Sequence, residues 1–141
     1  MENRPTHYIL NLSNHGDERG SLVVIEAQKS FPFDIKRLFF EYDTDTNSIR
    51  GQHANRNSRF GFVSLKGSCK VLVKDNGRTH KYFLDSPTKM LIIDKLIWKD
   101  MIDFSEDNIL LVISDSYYDS NEYIRDFDEY LAVKKQMEDN L

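Results

Sequence analysis

The sequence predicts an all-β sandwich or barrel closed by one C-terminal helix. Three observations point there: short runs of β-branched and aromatic residues recur from residue 7 to 114, turn residues separate them at close intervals, and the hydrophobic period becomes helical after residue 115. In chain order, strands are expected at Tyr8–Leu12, Ser21–Glu26, Lys36–Tyr42, Ile49–Asn55, Phe60–Leu65, Ser68–Val73, Lys81–Leu84, Met90–Asp94, Ile97–Ile102 and Ile109–Ser114. Arg19-Gly20, Lys66-Gly67, Asp75-Asn76-Gly77 and Ser86-Pro87 supply the residues that tight connections need, and Asp75-Asn76-Gly77 is the clearest hairpin. Tyr123, Phe127, Tyr130 or Leu131, and Lys134 then follow helical spacing, which predicts a helix over about 120–137. Asp119 with Glu122 three residues later resembles a capping box, and Lys134 and Lys135 suit the C-terminal end of the helix dipole. No repeat, low-complexity stretch or linker divides the 141 residues, so a single domain over 1–141 is expected.

Composition narrows the function classes. With 40% hydrophobic and 12% aromatic residues the chain can build a core, and a net charge of -4 argues against nucleic acid as a partner. Cys69 is the single cysteine, which rules out an internal disulfide and a Cys-based zinc site and fits a reducing cytoplasm. The N-terminus is polar and no apolar run approaches the ~18 residues of a membrane span, so neither a signal peptide nor a membrane partner is expected.

The candidate site centres on Arg50-Gly51-Gln52-His53-Ala54-Asn55. Strand alternation would turn Gly51, His53 and Asn55 to one face and Arg50, Gln52 and Ala54 to the other. A β-barrel metal site usually gathers two or three histidines and a carboxylate. Here Asn55, Arg59 and Lys99 stand where further ligands would be sought, and His7, His15 and His80 fall where solvated side chains are expected. No metal or other cofactor is expected. A neutral imidazole in an apolar cavity suits proton abstraction beside a carbonyl, with Lys99 or an arginine to stabilise the enolate. Spacing alone leaves His53 open to a structural role and Lys99 to an exposed one. Arg19, Arg37 and Arg50, each in or just before a strand beside aromatic residues, suit a phosphate-bearing ligand with a planar base.

A wider set of residues carries a family resemblance: Arg19-Gly20-Ser21-Leu22 with Glu26, Pro32 to Arg37, Arg50 to Ala54, Leu65-Lys66-Gly67-Ser68, Leu84-Asp85-Ser86-Pro87, Trp98, Asp103-Phe104-Ser105, and Ser116-Tyr117-Tyr118-Asp119 with Glu122 to Asp126. Together they resemble the sugar 3,4-ketoisomerases over nearly the whole chain. The resemblance implies a metal-free, cupin-type jelly-roll and a homodimer that exchanges N-terminal strands. It implies conversion of dTDP-4-keto-6-deoxyglucose to a dTDP-3-keto-6-deoxyhexose, by proton transfer between C3 and C4, on the way to dTDP-amino sugars of surface glycans such as lipopolysaccharide O-antigen. His53 matches the first of the family's paired histidines, with Lys99 and Asn55 as polar partners, and Arg19, Arg37 and Arg50 as substrate-binding residues.

The chain departs from the family pattern at Asn55, which replaces the second histidine, at Arg59 and Phe60, which replace Glu-Gln, and at Lys99, where His or Arg is usual. Two alternatives follow: a homologue that binds a dTDP-sugar as a regulatory or partner subunit without turnover, or a related dTDP-sugar epimerase, a group that resembles the same segment with one histidine.

Overall fold

The computed structural model of the chain describes residues 5–140. The strands are β1 (His7–Asn11), β2 (Arg37–Tyr42), β3 (Arg50–Asn55), β4 (Phe60–Lys66), β5 (Cys69–Asp75), β6 (Arg78–Leu84), β7 (Lys89–Ile93), β8 (Trp98–Ile102), β9 (Ile109–Ser114) and the two-residue β10 (Tyr123–Ile124); helix α1 spans Phe127–Asp139. They form two antiparallel five-stranded sheets, β1-β7-β4-β9-β2 and β10-β3-β8-β5-β6, in a jelly-roll arrangement. The predicted hairpin is present: Asp75 pairs with Arg78, and Asn76 and Gly77 take φ of 52° and 76°, the double positive φ of a tight two-residue turn.

One apolar cluster draws on both sheets, with Phe62, Leu91 and Val112 from the first and Val71, Val73 and Met101 from the second. A second cluster covers the outer face of the first sheet, where Val63, Met90, Ile92 and Ile113 meet Leu12, Phe31 and Phe33 of the N-terminal segment. Strand β7 is therefore buried on both sides, which accounts for its unbroken Met90-Leu91-Ile92-Ile93 run. Each such side chain contributes roughly 1.5–3 kcal/mol on burial. Helix α1 packs Tyr130 on Trp98 of β8, and Tyr130 Oη donates to the Leu96 carbonyl at 3.0 Å.

The expected strand at Ser21–Glu26 does not form. That segment makes only isolated bridges, such as Asn14 to Val23, although its alternation holds: Val23 and Ile25 pack on the core while Leu22 and Val24 are exposed. Period-2 patterning sets which side chains turn inward, but a ladder also needs a neighbouring edge, and among the described residues the segment meets only the single Asn14–Val23 bridge. The helix also begins later than expected. Asp119 caps a 3-10 turn at Ser120–Glu122 and β10 follows; the cap of α1 is Asp126, whose carboxylate accepts from the Glu129 amide. Lys134 does not serve the helix terminus; it donates to the Leu96 carbonyl and lies 3.2 Å from Asp75. His7 is not a solvated side chain either: it is half-buried, 2.6 Å from Tyr82 Oη and packed at a tilt against the His80 ring at 4.5 Å.

Candidate active site

The first determinant of the site is a break in β3. The register against β8 slips between Gly51 and His53, and Gly51 and Gln52 take φ of 80° and 55°. This bulge overturns the expected alternation: Arg50 and His53 line one cavity of about 520 Å³ together with Gly51. Gly51 is required there, because a Cβ would stand 2.8 Å from the Lys99 carbonyl oxygen.

The bulge also sets the histidine. The His53 Nδ1 lies 2.8 Å from the Gly51 carbonyl oxygen. A carbonyl can only accept, so Nδ1 carries the proton and Nε2 keeps the lone pair of a base. The Tyr123 ring packs against the imidazole at 4.9 Å. Burial, then the nearby Lys99 charge, push the His53 pKa down to about 3, against the Gly51 hydrogen bond that raises it; the imidazole is neutral at physiological pH.

Lys99 pairs with His53 across the β3–β8 ladder and is 2% exposed. Its Nζ donates to Asn55 Oδ1 at 2.9 Å and sits 4.7 Å above the Phe60 ring. Burial lowers its pKa to about 7, opposed by the Glu122 charge. Asn55 does not share the cavity with His53. It is buried behind Lys99, and its Nδ2 donates to Glu122 Oε1 at 2.9 Å, so it holds the lysine in place. Glu122, which the sequence suggested as a helix-capping residue, anchors this network. Its carboxylate also accepts from the Asn57 and Ser58 amides and from Ser58 Oγ.

The three arginines separate. Arg50 lines the cavity with its Nε 2.7 Å from Glu41 Oε2. Arg37 stands just behind the wall, its guanidinium over the rings of Phe39, Tyr118 and Phe60, with Nε and Nη2 buried and without hydrogen-bond partners. Arg19 lies elsewhere, exposed on an N-terminal turn and paired with Asp17 at 2.7 Å. Among the lining residues that escaped the sequence as site candidates are Glu41, Tyr118, Tyr123 and Arg125, the last stacked over Tyr123 at 4.8 Å. The only signal was that Tyr118, Tyr123 and Arg125 fall within the quoted family motif. Among the described residues, no three His, Cys, Asp or Glu side chains cluster as metal ligands, and no helix is long and apolar enough to cross a membrane.

A two-sheet barrel with one uncharged, tautomer-fixed histidine beside a cationic network has the makings of a proton-transfer site for a carbonyl substrate carrying negative charge. The comparisons with known proteins agree. The family model FdtA (WxcM-like, C-terminal) matches residues 5–135. The chain is 38% identical over 130 residues, 92% of its length and 91% of the relative's, to a TDP-4-oxo-6-deoxy-alpha-D-glucose-3,4-oxoisomerase of Aneurinibacillus thermoaerophilus. Among solved structures, the TDP-fucose-3,4-ketoisomerase WlaRA of Campylobacter jejuni superposes with a TM-score of 0.87 at 43% identity, covering 92% of this chain and 96% of that one. The sugar 3,4-ketoisomerase QdtA of Thermoanaerobacterium thermosaccharolyticum, in complex with TDP, gives 0.90 at 32% identity, covering 94% and 96%. The chain belongs to the sugar 3,4-ketoisomerase family, and the isomerase class and the cupin-type fold expected from the resemblance are borne out.

Proposed function

We propose that this protein isomerises dTDP-4-keto-6-deoxyglucose to a dTDP-3-keto-6-deoxyhexose, with His53 as the base that carries the proton from C3 to C4. The observation that carries the proposal is the Gly51 carbonyl on Nδ1, which leaves Nε2 unprotonated in a cavity that holds no second histidine. The C3–H electron pair becomes the C3=C4 bond of an enediol as the C4 carbonyl oxygen takes up a proton; His53 then returns its proton to C4 and the C3 oxygen becomes the ketone. Lys99, held by Asn55, supplies positive charge to the enolate. Arg50 and Arg37 serve the diphosphate, and the unpaired nitrogens of Arg37 support that role. The likeness to relatives named for TDP-linked keto sugars supports the substrate, and the family resemblance of the sequence implies its use in dTDP-amino-sugar synthesis for surface glycans. The lone cysteine supports a cytoplasmic setting.

The working form is a homodimer. Leu38, Phe40 and Tyr42 are exposed along β2, an edge strand of its sheet, and Leu22 and Val24 stand out from the N-terminal segment, which joins neither sheet around those residues. Exchange of that segment between copies would cover both apolar rows and carry Arg19 toward a second copy's site.

Incubation with dTDP-4-keto-6-deoxyglucose in deuterated water tests the chemistry. The wild-type protein is expected to incorporate deuterium at C3 or C4, and His53→Asn to bind dTDP without exchange. Absence of exchange in the wild type with dTDP still bound would favour the non-catalytic subunit, and exchange that survives His53→Asn would remove the base assignment.

A further inference from the structure

The proposed isomerisation moves protons on oxygen as well as on carbon: O4 gains one and O3 loses one. His53, occupied with the carbon-bound proton, leaves the oxygen protons unassigned. Lys99 is tied to Asn55 and buried.

Glu41 is placed for this task. It projects from β2 into the same cavity as His53, with its side chain only 11% exposed. Arg50 Nε comes within 2.7 Å of Oε2, yet its N–H is not aimed at that oxygen, and Oε2 is buried with no hydrogen bond. A buried acceptor without a donor is costly, and one that opens on a ligand cavity is relieved by a ligand hydroxyl. Burial raises the Glu41 pKa, against the opposing Arg50 charge, so this carboxyl takes and releases a proton more readily near neutrality than an ordinary glutamate. Of the other charged groups around the cavity, Arg50 and Arg125 are lasting cations without a lone pair, and the Lys99 amine is engaged by Asn55 Oδ1.

We propose that Glu41 is a catalytic acid–base that shuttles the proton between O3 and O4 of the hexose while His53 shuttles the one between C3 and C4. In the first half, the Glu41 carboxylic acid gives its proton to O4 as the C4=O pair opens. In the second, the carboxylate takes the proton from the O3 hydroxyl as C3=O forms, and the acid is restored. No other reactant is needed. The assignment rests on the isomerase activity proposed above.

Turnover of dTDP-4-keto-6-deoxyglucose by the wild-type protein and by Glu41→Gln separates the two. Glu41→Gln is expected to lower kcat about 100-fold, the low end of what a positioned acid–base group contributes, with the Kd for dTDP unchanged. Glu41→Ala is expected to lose at least as much and to regain kcat when formate is added, a recovery that a merely structural carboxylate would not show. Wild-type kcat in Glu41→Gln would overturn the assignment. So would loss of dTDP affinity at constant kcat, which would make Glu41 only the residue that positions Arg50, and so would a Glu41→Ala variant that formate does not rescue. An inactive wild-type protein would instead count against the isomerase function itself.

Discussion

Replacing Lys99 by methionine is expected to stabilise the protein at neutral pH, although it deletes a hydrogen bond. The ammonium is fully buried, and its pKa falls from 10.5 to about 7. At about 1.4 kcal/mol per pH unit, that interval corresponds to roughly 5 kcal/mol of destabilisation when the amine is charged in both folded and unfolded chains. Methionine fills a similar volume without charge, but leaves Asn55 Oδ1 without its donor, a loss of about 1–3 kcal/mol. The net gain is about 2–4 kcal/mol, or roughly 10 °C in Tm for a domain of this size. The sign with pH follows from the depressed value. Below about pH 7 both states bind the proton and the wild-type penalty is complete. From there to 10.5 the unfolded chain binds a proton that the folded chain does not, so wild-type stability rises with pH. Urea unfolding of both proteins across that range should show the variant's advantage shrinking, reaching zero about 1–2 pH units below 10.5, where the remaining penalty equals the lost hydrogen bond to Asn55, and reversing above that. A variant less stable than wild type at pH 7, or an advantage that stays constant with pH, would refute the account.

Two further substitutions probe the scaffold of the site. Gly51→Ala forces a Cβ to 2.8 Å from the Lys99 carbonyl at φ 80° and should cost about 1–3 kcal/mol in denaturant unfolding, with turnover falling further as the carbonyl is drawn off His53 Nδ1. Glu122→Gln puts an amide where four donors converge and should destabilise by about 3 kcal/mol, with faster amide hydrogen exchange at Asn57 and Ser58 as the specific sign.

Local patterning carried most of the fold. The Asp75-Asn76-Gly77 hairpin and the inward rows of β5 are set by residues adjacent in sequence, and both stand as expected. Ser21–Glu26 shows the limit: the alternation was legible, but pairing depends on which edge lies beside it, a fact not written locally. The site was half legible. His53 and Arg50 could be picked out, yet their common face depends on a bulge at Gly51-Gln52 that period-2 reasoning excludes. Asn55 looked like a cavity residue because the alternation was extended through that bulge. Glu41 and Glu122 were hidden for another reason: isolated carboxylates on an alternating strand or near a helix start look like surface charge until long-range packing buries them.

The fixed imidazole tautomer has a stereochemical consequence. A base whose lone pair points from one side can only lift and return a proton on the same face of the sugar ring, so the transfer proposed here is suprafacial. Because the C3 hydrogen of the substrate lies on one face of the ring, that face must be turned toward Nε2, and a suprafacial transfer fixes a single configuration at C4. Formation of the other C4 epimer would need a proton donor on the opposite face of the ring, so the product's configuration reports whether His53 alone returns the proton.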